Sequence, residues 1–208
     1  MTGTQRVHKS VGALILAAGF SSRMKTPKPF LQYDAEKVFI EKIIDDYLEF
    51  GCKKIIITIN EEHKEWNEIR SKFKGNDSIQ FVVNRIPEYE RFYSIKIGLE
   101  NLDNMDYCFI QNVDNPFIER KILDMIYEER FKEGYTVPYF LGSGGHPVLL
   151  GTNVIKQIQL EKNTDQNFKE FLTGFQRKNV HVYTNRIHIN INTQEEYERY
   201  CKNMLTLS

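Results

Sequence analysis

Cysteine is scarce in this 208-residue chain: Cys52, Cys108 and Cys201 are its only three. They are odd in number, far apart and form no C-x-x-C pair. That excludes a disulfide framework and a cysteine-based metal site, and fits buried thiols in a reducing cytoplasm. An excess of one charge is also lacking, with 28 Lys and Arg against 28 Asp and Glu. Non-specific nucleic-acid or membrane binding therefore has no support. No apolar run reaches the length of a membrane span. The first ten residues, MTGTQRVHKS, lack the apolar core of a signal peptide, so the expectation is a cytoplasmic protein. Internal repeats, low-complexity tracts and Pro/Gly/Ser-rich linkers are missing too. Residues 1–208 are read as one domain with a polar tail over about residues 1–10.

Several catalytic signatures are absent. No G-x-x-x-x-G-K-[ST] run supplies a P-loop, and no G-x-G-x-x-G supplies a dinucleotide fingerprint. There is no H-E-x-x-H zinc helix and no G-x-S-x-G nucleophile elbow. His8, His63, His181 and His188 show no cluster in the sequence and receive no role.

What is present is an apolar content of 41%, enough for a full core, and an alternation of strand and helix patterns. Val11 to Ala17, Lys54 to Ile59, Ile79 to Val83 and Tyr107 to Gln111 read as strands. Between them lie helical patterns at Val38 to Phe50, Glu62 to Phe73 and Tyr93 to Leu102, the first ended by Gly51. Asn115-Pro116 predicts an N-cap and first turn for a helix running to about Phe131. Tyr135 to Leu141 and Pro147 to Leu150 are expected strands joined by a glycine-rich bend. Short helices are expected at Asn153 to Leu160 and Gln166 to Leu172, then strands at Val180 to Tyr183 and Ile187 to Ile191. Thr193 with Glu196 forms a capping box for a last helix. Repeated β-α units predict an α/β protein with a mostly parallel, twisted sheet in three layers. Ligands in such sheets sit beyond the carboxyl ends of the strands.

The most informative stretch is LAAGFSSRMKTPKPFL, from Leu16 to Leu31. A buried strand runs into Ala17, Ala18 and Gly19, then two serines, Arg23, Lys25 and Lys28. Gly19 lets backbone N–H groups approach phosphate oxygens. Ser21 and Ser22 add hydroxyl donors, and Arg23 and Lys28 add charge-assisted hydrogen bonds. A merely solvated cationic loop is the alternative.

This stretch, L-A-A-G-x-S-x-R-M-x-x-P-K, resembles the nucleotide-binding loop of the MobA-like nucleotidyltransferases. It is most similar to the molybdenum cofactor cytidylyltransferase branch, often called MocA. That branch has LAAG where the guanylyltransferase branch usually has LAGG, so the resemblance implies CTP. The family usually has Gly after Arg-Met, where this chain has Lys25. The implied fold is nucleotide-diphospho-sugar transferase-like, a Rossmann-like arrangement.

Further segments carry the likeness. Asp114, in NVDNPF, offers a hard carboxylate suited to Mg²⁺. The segment is similar to the family's metal-binding V-D-x-P. The alternative, a helix cap, falls more naturally to Asn115. Asn190-Ile191-Asn192-Thr193 stands where the family reads D-x-D-T, so Asn192 is the second metal candidate, with a near-cap role as the alternative. Ser94 and Gly98, in SIKIGL, match a helix start that faces the nucleoside, with a plain N-cap as the alternative for Ser94. His146, in GGHP, matches a segment near the acceptor, or orders its own loop.

The resemblance thus implies nucleotide binding by Leu16, Ala17, Ala18, Gly19, Ser21, Ser22, Arg23, Lys28, Ser94 and Gly98. Arg23 and Lys28 would be catalytic, Asp114 and Asn192 would hold Mg²⁺, and His146 would meet the acceptor. The implied reaction transfers CMP from CTP to a phosphorylated acceptor, molybdenum cofactor in that branch, with release of pyrophosphate. A partner metalloenzyme would then receive the product. Two other readings stay open: the same chemistry on a sugar or alcohol phosphate, and a nucleotide-binding regulator or chaperone without catalysis.

Overall fold

The computed structural model describes residues 10–19, 24, 26–86 and 91–201. Eight strands form one sheet: β1 (Val11–Ala17), β2 (Lys54–Ile59), β3 (Ile79–Val83), β4 (Tyr107–Asn112), β5 (Gly134–Phe140), β6 (Ser143–Gly144), β7 (Val148–Gly151) and β8 (Gln176–His181). The order is β3-β2-β1-β4-β7-β5-β6, with β8 paired to β5. β1, β2, β3 and β4 run parallel, β7 runs antiparallel to both β4 and β5, and β8 is parallel to β5. The sheet is mostly parallel, as the β-α alternation requires.

Strand side chains alternate between two cores. Val11, Ala13, Ile15 and Ala17 of β1 join Ile55, Ile57 and Ile59 of β2 on one face. They pack on α1 (Phe39–Phe50), α2 (Trp66–Lys72) and α4 (Arg120–Glu128). Leu14, Ile56, Cys108 and Ile110 point the other way. There they meet α3 (Arg91–Glu100), α5 (Thr152–Leu160) and α6 (Phe168–Leu172). Strands buried on both faces explain the unbroken apolar runs of β1 and β2. Gly51 ends α1 with φ of 93°, a left-handed conformation that a side chain resists. A third, smaller cluster joins Leu31, Phe39, Phe117, Ile191 and Cys201. It ties together three segments remote in sequence. The last helix is α7 (Gln194–Tyr200), and its capping box forms as expected: Glu196 N–H donates to Thr193 Oγ1 while Glu196 accepts from Thr193 N–H.

Three expectations are corrected. The helix expected from Asn115 begins only at Arg120. Phe117 and Ile118 are both buried, in different clusters. Extended backbone aims neighbouring side chains to opposite sides, and a helix does not. The strand expected at Val180 to Tyr183 starts at Gln176. Its polar start, Gln176-Arg177-Lys178, hides it in the sequence and suits an edge strand. The strand expected at Ile187 to Ile191 is instead a 3-10 turn, Asn185–His188, followed by unladdered chain. Single bonds hold it: His146 N–H to the Ile187 carbonyl at 2.9 Å, and Ile191 N–H to the Asp114 carbonyl at 2.8 Å.

Candidate active site

β1 and β4 are neighbours, with Leu16 opposite Asn112 and Val113 N–H donating to the Leu16 carbonyl at 3.2 Å. Their carboxyl ends therefore deliver Ala17-Ala18-Gly19 and Asp114 side by side. Ala17 and Ala18 are buried, and their small side chains keep the turn close to the sheet. A Cβ added at Gly19 would meet nothing within 4 Å, so packing does not explain the glycine. Ser21, Ser22, Arg23 and Lys25 lie outside the described residues.

Lys28 opens a 3-10 turn, Lys28–Phe30, between Pro27 and the buried Pro29. The two fixed proline φ angles limit where the backbone can carry the lysine. Its Nζ donates to Asp114 Oδ2 at 3.2 Å and to Asn192 Oδ1 at 2.6 Å. The third apolar cluster explains this meeting. Leu31, Phe117 and Ile191 are its members, each one to three residues from Lys28, Asp114 or Asn192. Asn192 N–H donates to Glu196 at 2.7 Å, which fixes the residue against the capping box. Thr193 is the cap, so the side chain of Asn192 is left to face Lys28.

Asp114 and Asn192 converge their oxygens on one cation, here the lysine ammonium. Asp114 Oδ1 is buried and has no hydrogen-bond partner. That orphaned oxygen, beside a second oxygen donor, fits a hard cation such as Mg²⁺. No group of three His, Cys, Asp or Glu forms a metal cluster among the described residues. Mg²⁺ does not require one, since it keeps waters and takes phosphate oxygens.

A cleft of about 550 Å³ adjoins this centre. His146, Arg91, Asn190 and His188 line it. Asn190 and His188 also line a neighbouring hollow of about 310 Å³, to which Asn192, the partner of Lys28, contributes. Asn112 Nδ2 donates to His146 Nε2 at 3.0 Å. That leaves the proton on Nδ1, which is buried without a partner. Burial above all, then the charges of Arg91 and His188, push the His146 pKa down to about 3. His146 is thus neutral and offers a hydrogen bond rather than a charge. Asn190 Oδ1 is a further buried, unpartnered atom. Two of these orphans, on His146 and Asn190, line the one cleft, the pattern of a site shaped for a ligand.

The nucleoside-facing expectations are revised. Ser94 is not an N-cap, because α3 begins at Arg91. Its buried hydroxyl accepts from Asn84 Nδ2 at 2.9 Å. Gly98 serves packing: an added Cβ would collide with Leu14 in the middle of β1. Asn115 does not cap a helix but donates to the carbonyls of Arg186 and Ile187 at 3.3 and 3.4 Å. Sequence reasoning also missed Arg91 and His188. Arg91 lies over the Phe168 ring at 5.4 Å, and burial lowers its pKa while Asp114 raises it. Its place three residues before Ser94 was the available signal. His188 bonds Ser143 Oγ at 3.1 Å, a contact that no sequence spacing announces.

This fold recurs among solved nucleotidyltransferases. A nucleotidyl transferase from Methanothermobacter superposes with a TM-score of 0.76 at 18% identity, covering 95% of this chain and 99% of that one. The chain itself belongs to the MobA-like NTP transferase domain family, whose model matches residues 13–181. A probable molybdenum cofactor guanylyltransferase of Natranaerobius thermophilus is 28% identical over 91% of this chain and 94% of its own length. A 2-C-methyl-D-erythritol 4-phosphate cytidylyltransferase of Fusobacterium nucleatum is also 28% identical, over 59% of this chain and 54% of its own length. The chain spans between 32% and 56% of the length of the first curated relatives it matches. Among the described residues no helix is long and apolar enough to cross a membrane.

Proposed function

We propose that this chain, as one domain, is a nucleotidyltransferase that moves CMP from CTP to a phosphorylated acceptor, molybdenum cofactor in the first instance. The observation that carries the reading is Lys28, held between Asp114 and Asn192 at the carboxyl ends of β1 and β4, near a cleft that Arg91, Lys169 and Arg177 line. An acceptor phosphate oxygen forms a bond to the α-phosphorus, and the α–β bond breaks to release pyrophosphate. The chain's task is positioning and charge neutralisation. The 16–19 turn and Lys28 bind the triphosphate, with Arg23 as its sequence-based companion. Neutral His146 donates to the acceptor. Asp114 and Asn192 would hold Mg²⁺, which when bound offsets phosphate charge.

Ala18, where the guanylyl branch has Gly, supports CTP. A second reading, GTP, is favoured by a relative that spans 91% of the chain and is named as a probable guanylyltransferase. An alcohol phosphate acceptor is favoured by the cytidylyltransferase relatives. One experiment separates these: pyrophosphate release with each NTP, Mg²⁺ and candidate acceptors. CTP with molybdenum cofactor is the expected active pair. No release with any pair, with nucleotide still bound, leaves a regulator instead.

A further inference from the structure

The cleft beside Lys28 is one-sided in charge. Arg91, Lys169 and Arg177 line it and, among the described residues, no Asp or Glu does, in a chain whose charges balance at 28 to 28. The three cations fall into two groups. Arg91 starts α3 and feels the field of Asp114, so it belongs to the inner end. Lys169 comes from α6 and Arg177 from β8, elements that contribute nothing to the Lys28 centre. Gly144 makes room for this outer group, since a Cβ there would collide with the Arg177 guanidinium. Arg177 Nε is bonded at 2.8 Å to Asn179 Oδ1, which orients it without neutralising it. Val137, Val148, Phe168 and Leu172 give the lining an apolar part beside the polar Ser143, His146 and Asn190.

We propose that Lys169 and Arg177 form a second anion subsite, selecting an acceptor that carries another anionic group on an apolar body besides its reacting phosphate. This rests on reading the cleft as the acceptor site. Charge-assisted hydrogen bonds reward an anion at the outer end. Hydroxyls set against the apolar part of the lining, Val137, Val148 and Leu172, would lose water there without gaining partners, which disfavours a hydroxyl-rich sugar at that place.

The probes are phenyl phosphate, 4-carboxyphenyl phosphate and ribose 5-phosphate, titrated calorimetrically with Mg-CTP present. The carboxylated probe should bind wild type about tenfold tighter than phenyl phosphate, roughly one good charged contact. Lys169→Gln with Arg177→Gln should erase that advantage and leave phenyl phosphate and fluorescent-nucleotide binding unchanged. Survival of the advantage in the double variant overturns the subsite. Equal binding of ribose 5-phosphate to wild type overturns the apolar-body requirement and with it the proposal. If nucleotide binds and no phosphomonoester does, the acceptor reading of the cleft fails first and this inference falls with it.

Discussion

Lys28 has two claims on it. The same oxygens that suit a divalent metal, on Asp114 and Asn192, hold its ammonium in this structure. Asp114 Oδ1 stays open, but a metal that also took Asp114 Oδ2 or Asn192 Oδ1 would displace the ammonium, leaving the lysine to turn toward phosphate. Lys28→Met should therefore cut turnover by tenfold or more, in line with the roughly 3 kcal/mol that one transition-state donor supplies. It should also tighten Mn²⁺ binding measured by electron paramagnetic resonance without nucleotide; weaker Mn²⁺ binding would show that the lysine does not compete. Asp114→Asn removes the charged ligand and should nearly abolish activity. Asn192→Asp should keep activity and improve Mg²⁺ affinity, which a metal titration of the two variants reads directly. Asp114 and Lys28 were legible in the sequence because strand ends and cationic turns have local signatures. The orphaned atoms around them were not, since satisfaction of a polar group depends on neighbours far away in the chain.

Among the elements, α1 shows most clearly what a sequence pattern conveys and what it omits. Its 3.6-residue period and Gly51 stop are visible in one dimension, and the helix follows them. The environment of Asp46 is not visible. Its carboxylate pairs with Lys42, which also lies 5.2 Å over the Tyr33 ring. Burial dominates, and raises the Asp46 pKa from 3.8 to about 6 despite the lysine. The folded state thus holds this proton more tightly than the unfolded chain. As pH rises from about 4 to 6 the unfolded chain ionises first, and stability falls. Asp46→Asn should stabilise the protein by about 1–2 kcal/mol above pH 6, less than the full shift because Lys42 loses a partner. Below about pH 4 the gain should vanish. Urea denaturation at pH 7.5 and pH 4 compares the two directly. The failure at Asn115 has a similar origin: a good cap sequence lost to two core positions that needed opposite directions.

At the scale of the whole molecule, His146 and Asp46 pull the pH profile in opposite directions. The His146 pKa is lowered from 6.5 to about 3, so its contribution is complete above pH 6.5 and is lost as pH falls toward 3. Wild-type stability should therefore change little between pH 6 and 4.5, where the two trends oppose, and fall more steeply below. His146→Gln should remove the acid-side loss, so its melting temperature relative to wild type should rise on acidification; a constant difference would mean that His146 is not held neutral. The fold at this scale was largely readable, because buried parallel strands must be apolar on both faces and crossovers are right-handed. The cleft was not. Arg91, His188, Lys169 and Arg177 come from four separate elements, and only folding brings them to one cavity.

The small cluster of Leu31, Phe39, Phe117, Ile191 and Cys201 sets an order of events during synthesis. Lys28 and Asn192 are 164 positions apart, and the cluster that joins them closes only when Ile191 and Cys201 arrive. A chain emerging from the ribosome therefore presents the 16–19 turn and Asp114 long before Asn192 exists. Nascent copies should be silent toward substrate while most of the sheet is already formed. Competence would switch on in a single late step, when the Asn192 segment docks.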